Sequence, residues 1–126
     1  MCRGIGAIAL QRDQRLVFKS GINSHSEIRR VCGVADLKPG EQVNLEALPG
    51  NNFDDYKNWT IHVDHDGEPP KWFIDDRVET ESRFRDFFES ELKEVVATGK
   101  YGGYLDLRGT AVTSLGSLQS VGGYLD

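Results

Sequence analysis

Tyr101-Gly102-Gly103-Tyr104-Leu105-Asp106 returns as Val121-Gly122-Gly123-Tyr124-Leu125-Asp126, five consecutive identities after a shift of twenty residues. Self-similarity at a period of roughly 20–30 residues marks a solenoid, in which each coil buries its apolar side chains against the next. The apolar positions of this repeat are Leu105, Leu107, Val112, Leu115, Leu118, Val121 and Leu125, and they are its predicted interaction residues. The second copy stops at Asp126, before any counterpart of Leu107-Arg-Gly-Thr110, so a truncated repeat is expected. A solenoid generally needs about three coils to cover itself, whereas little more than one is present. The uncovered side predicts self-association, most simply a two-fold homodimer.

Working back from the repeat, Gly99 marks a helix end. Before it, Phe84, Phe87, Phe88, Leu92, Val95 and Val96 recur at helical spacing, which predicts a long helix over 77–98 with Asp75 or Asp76 as its cap. This stripe should pack across a sheet. A strand near Lys57–Asp64 places Trp59, Ile61 and Val63 on one face and Thr60, His62 and Asp64 on the other; a strand over Gln42–Leu48 does the same with Val43, Leu45 and Ala47. Ser24-His-Ser-Glu27 has the spacing of a capping box and opens a short helix over 25–32, ended by Gly33. Residues 4–19 read as a hairpin whose first strand, apolar on both faces, belongs in the sheet interior. The expected fold is α+β: a small ββα-ββα domain over residues 1–99, then the start of a leucine-rich-repeat-like β-solenoid over 100–126.

Leu105-x-Leu107-x-x-Thr110-x-Val112 resembles the leucine-rich pattern L-x-L-x-x-N-x-L, with Thr in the Asn place. The form V-G-G-x-L-D-L is most similar to the repeats of receptor L-type domains and of bacterial and bacteriophage leucine-rich proteins. Upstream, His25-Ser-Glu-Ile28, Gly33-Val34, Trp59-x-x-x-Val63-Asp64 and Pro70-Lys-Trp-Phe73 resemble, more loosely, the leading domains of phage-type repeat proteins. The resemblance implies a non-enzymatic protein-interaction module, with a phage or prophage setting and a host protein as partner.

Composition narrows the alternatives. Hydrophobic residues make up 38% and charged residues 28% of the 126, an ordinary globular balance. Residues 1–40 hold seven Lys/Arg against three acids, and residues 53–91 hold twelve acids against five bases. The acidic stretch repels phosphate, which argues against nucleic-acid binding. It also permits a different reading, an acidic decoy occupying a partner's basic groove. No apolar run is long enough to cross a membrane, and two widely separated cysteines fit a reducing compartment, so a cytoplasmic chain is expected.

Two sets of residues carry candidate chemistry. Removal of Met1 would leave Cys2 at the amino terminus, where its own amine could act as base, the logic of an amino-terminal-Cys hydrolase. His62 and Asp64 share a strand face and are of metal-ligating type. Asp64-x-Asp66-Gly67-Glu68 begins like a calcium loop, but Pro69 and Asp75 stand where that loop needs Gly and Glu. Neither a helix-turn-helix nor a phosphate loop is completed, because Pro39-Gly40 interrupts the first and no Lys-Ser/Thr follows the glycines of the second. No cofactor is expected.

Overall fold

The computed structural model describes residues 4–12, 16–20, 22, 24–65, 67–101, 107, 110, 112, 114, 116, 118, 120 and 121. Strand β1 (Ile5–Leu10) is buried at all six positions, which its unbroken run of apolar residues and glycine permits. It pairs antiparallel with β2 (Leu16–Val17) on one side and β3 (Gln42–Leu48) on the other. Strand β4 (Thr60–Asp64) adds antiparallel to β3, giving an open four-stranded sheet of order β2-β1-β3-β4. The chain is therefore mixed α and β.

Because strand side chains alternate, the two faces of β1 are covered by different elements. Ile5, Ala7 and Ala9, with Val43, Leu45 and Ala47 of β3, face α3 (Arg77–Thr98) through Phe84, Phe88, Leu92 and Val95. Ile8 and Leu10 pack instead with Ile28 of α1 (His25–Val31) and with Val34. Small residues at 7, 9 and 47 let the bulky rings of α3 lie close to the sheet. Trp59 completes that layer. Its ring meets Phe53 edge-on at 5.3 Å and stacks over Phe88 at 6.3 Å, and its Nε1–H donates to the Phe53 carbonyl at 3.1 Å. Each such buried aromatic contributes on the order of 2–3 kcal/mol.

Local chemistry sets the element ends. Ser24 Oγ accepts from the Glu27 amide at 3.4 Å, but the Glu27 carboxylate turns outward to pair with Arg30, so only half of the predicted capping box forms. At the far end of α3, Gly99 takes φ 75° and its N–H reaches the Val95 carbonyl at 2.6 Å. Asp76 precedes α3 without a side-chain cap bond. A separate helix absent from the periodicity reading, α2 (Lys71–Asp75), comes just before it, fixed by buried Phe73 and by Trp72 Nε1–H donating to the Gly40 carbonyl at 2.9 Å. The strand expected from Lys57 starts at Thr60, because Tyr56–Asn58 form a 3-10 turn. Val96, placed in the core stripe by spacing, is 37% exposed, since the buried arc of α3 follows Phe84, Phe88, Leu92 and Val95.

Beyond Gly99 the chain forms β5 (Lys100–Tyr101), which pairs in parallel with β6 (Ser120–Val121). The registered partners, Lys100 with Ser120 and Tyr101 with Val121, are twenty residues apart, the same interval as the sequence repeat. Between them in sequence, six residues before β6, Ser114 bridges Asn52 in parallel. The Phe53 N–H donates to the Ser114 carbonyl at 2.8 Å, and the Ser114 N–H donates to the Asn51 carbonyl at 3.0 Å. Tyr101, Leu107 and Leu118 are buried in the same core as Phe84 and Phe88, with Val112 packed against it.

Candidate functional site

The sheet face opposite α3 is only half covered. Helix α1 lies over β1, where Ile8 and Leu10 are apolar; the neighbouring positions of β3 on this face are Gln42, Asn44 and Glu46, which offer no apolar surface to bury. Two residues of α1, four apart and so on one helical face, reach across to β3. His25 is 2% exposed, with Nε2 at 2.8 Å from the Leu45 carbonyl. A carbonyl only accepts, so Nε2 carries the hydrogen of this contact. One turn later Arg29 Nη1 donates to Gln42 Oε1 at 3.1 Å and to Asn44 Oδ1 at 3.0 Å. Gln42 is fixed in turn, its Nε2 donating to the Leu37 carbonyl at 2.9 Å.

On the far side stands β4, whose Asp64 is the register partner of Asn44 and whose His62 is the partner of buried Glu46. Between Arg29 and Asp64 lies a cleft of about 520 Å³, floored by Asn44 and bounded by His65, Ala35 and Leu37. Its two charges are not paired with each other. Among the described residues the ion pairs are Arg30–Glu27, Arg77–Glu81, Arg83–Glu79 and Arg85–Glu89.

The structure distributes the sequence-predicted site residues unevenly. His62 and Asp64 do share the exposed face of β4, but His62 Nε2 lies 3.0 Å from the Thr60 hydroxyl. No group of three or more His, Cys, Asp or Glu suited to hold a metal ion occurs among the described residues. Cys2 lies outside the described residues, as do Asp66, Leu105, Leu115 and Leu125. Leu107 and Leu118 are turned into the chain's own core, and Val112 is half-buried against it. Val121 takes part in β6 through its backbone pairing. Cys32, away from the cleft, is half-buried with its Sγ 3.9 Å from the Phe18 carbonyl.

The polar β3 residues of the cleft occupy the positions that alternate with the apolar ones. Gln42, Asn44 and Glu46 are the alternate positions of the strand whose apolar set is Val43, Leu45 and Ala47, and His25 and Arg29 have i, i+4 spacing. Together they mark a polar seam between helix and sheet. Among the described residues no helix is long and apolar enough to cross a membrane. The chain matches no family model, and no curated protein or solved structure is detectably similar to it.

Proposed function

We propose that this chain is a non-enzymatic protein-interaction module, in which the α+β layers anchor a leucine-rich-like coil and the open edge of that coil makes the contact. The observation that carries the reading is the parallel pairing of β5 with β6 at a twenty-residue interval, equal to the sequence repeat. Return of the chain beside itself in parallel after one repeat supports the solenoid reading. Tyr101, Leu107 and Leu118 secure its inner side to the core, and the bridge from Ser114 to Asn52 seats its middle. Among the described residues β6 has one strand neighbour, so its other edge presents backbone groups for pairing.

A second copy is the partner whose chemistry matches that edge without further assumption, since two equivalent strands pair antiparallel about a two-fold axis. The further proposal of a host protein as partner rests only on the residue pattern Leu105-x-Leu107-x-x-Thr110-x-Val112, which resembles that of bacteriophage leucine-rich repeats. Neither alternative draws comparable support. Cys2 is outside the described residues, and three acids of the stretch a decoy would use, Glu79, Glu81 and Glu89, are matched by arginines on their own helix. Sedimentation velocity over about a hundredfold concentration range tests the reading by mass action. It predicts a monomer–dimer equilibrium that Val121→Pro shifts to monomer. A monomer at every concentration contradicts it.

A further inference from the structure

We propose that the cleft between α1 and β4 binds a small zwitterion, an α-amino acid with an aliphatic side chain, at a site independent of the coil. Three features on its walls specify that chemistry. The first is a prepared anion site. Arg29 is held through Nη1 alone, by two side-chain oxygens of β3, which fixes the guanidinium plane and leaves its remaining N–H groups without an acceptor among the described residues. Asn44 is oriented by the same contact: its Oδ1 faces Arg29, so its amide NH₂ is a second donor beside the first. A carboxylate accepts from both, and a fork of fixed donors favours a planar carboxylate.

The second feature is the acid. Asp64 is the cross-strand partner of Asn44, so its carboxylate rises from the floor one strand away from the anion site. Directly opposed residues of an antiparallel pair have Cα atoms about 4.5–5.5 Å apart. No ion pair connects Asp64 to Arg29, and the interval between their heads remains open as the cleft. A ligand that carries an ammonium group beside its carboxylate offers a partner to each of the two charges, as inorganic anions and simple carboxylic acids do not. The third feature is the end wall, where Ala35 and Leu37 supply the apolar surface, which suits an aliphatic side chain. His65 closes the rim beside Asp64. A volume of about 520 Å³ lies within the range of small-ligand sites, roughly 300–1,000 Å³.

The test is a titration of the isotopically labelled full chain with L-leucine, N-acetyl-L-leucine and L-leucinamide, followed by amide resonances. Leucine at low millimolar concentration should shift Asn44, Asp64 and His65, including the Asn44 side-chain amide. Loss of either charge of the ligand should weaken binding by about tenfold or more, the worth of one charge-assisted contact. Asp64→Asn, an isosteric change at an exposed position, should weaken leucine by about the same factor and leave N-acetyl-leucine unchanged. Absence of shifts with leucine at about 20 mM, a concentration that leaves only very weak affinity undetected, overturns the proposal. Equal shifts from all three compounds, or unaltered leucine binding in Asp64→Asn, do so as well. A monomeric chain with an intact titration would separate this site from the coil reading.

Discussion

Replacing Leu107 by alanine asks whether the segment after Gly99 belongs to the same folding unit as the sheet and α3. The side chain is 6% exposed and shares a core with Phe84, Phe88 and Tyr101. Removing its three outer carbons forfeits roughly 2 kcal/mol of transfer free energy, at about 0.8 kcal/mol for each methylene-sized group. The void adds to this in proportion to the volume that does not collapse. Collapse is restricted here, because the Thr110 N–H and hydroxyl both bond the Leu107 carbonyl, at 3.2 Å and 2.6 Å, and fix the backbone at that turn. The expected loss is therefore about 2.5–4 kcal/mol, within the usual range for a buried leucine. Urea unfolding followed by the fluorescence of buried Trp59 reads it as a single transition, with the midpoint lowered by about 1–2 M. Val78→Ala, at a position 87% exposed, is the control and should change stability by less than about 0.5 kcal/mol. A loss from Leu107→Ala below about 0.5 kcal/mol, or an early separate transition for the tail, would refute the shared core.

Other consequences are checked with the same assays. Gly4 has φ 62° and a Cβ there would lie 2.0 Å from the Ala47 carbonyl oxygen, so Gly4→Ala should cost about 2 kcal/mol or more in the same urea experiment. Burial, reinforced by the charge of Glu91, pushes the Tyr101 phenol well above its ordinary range. The unfolded chain then loses that proton first, so stability present below about pH 10 falls as pH rises further, and Tyr101→Phe should flatten the alkaline limb of thermal stability plotted against pH. His25→Ala removes the donor to the Leu45 carbonyl and should cost about 1–3 kcal/mol, read from the thermal midpoint.

The layers were legible in the sequence wherever periodicity and burial coincide. Phe84, Phe88, Leu92 and Val95 recur at helical spacing because they face one sheet, and Val43, Leu45 and Ala47 alternate because β3 presents one face to that helix. Short elements escaped for a physical reason. Lys71–Asp75 is too brief to show a period, and it is held by tertiary contacts, Phe73 in the core and Trp72 on the Gly40 carbonyl, that spacing does not encode. Val96 shows the opposite failure, an apolar residue placed by spacing on an arc that the sheet does not reach. The cleft was half legible. Its polar positions on β3 follow from alternation, but their junction with Arg29 depends on α1 crossing β1 rather than β3, a matter of packing. The twenty-residue interval of the β5–β6 pairing equals that of the repeated Gly-Gly-Tyr-Leu-Asp, whereas the bridge from Ser114 to Asn52 joins residues 62 apart and had no local signal.

Concentration-dependent hydrogen exchange at Ser120 and Val121 tests the interaction edge most directly, because an amide on an open strand is protected only while a partner is paired to it. At concentrations where the dimer dominates, an outward-facing β6 amide should exchange slowly, and on dilution about a hundredfold its protection should fall while that of Leu45 in the sheet interior stays constant. Protection at Ser120 and Val121 that is independent of concentration would mean that the edge is covered within its own chain or is not used for pairing, and would contradict the proposed function.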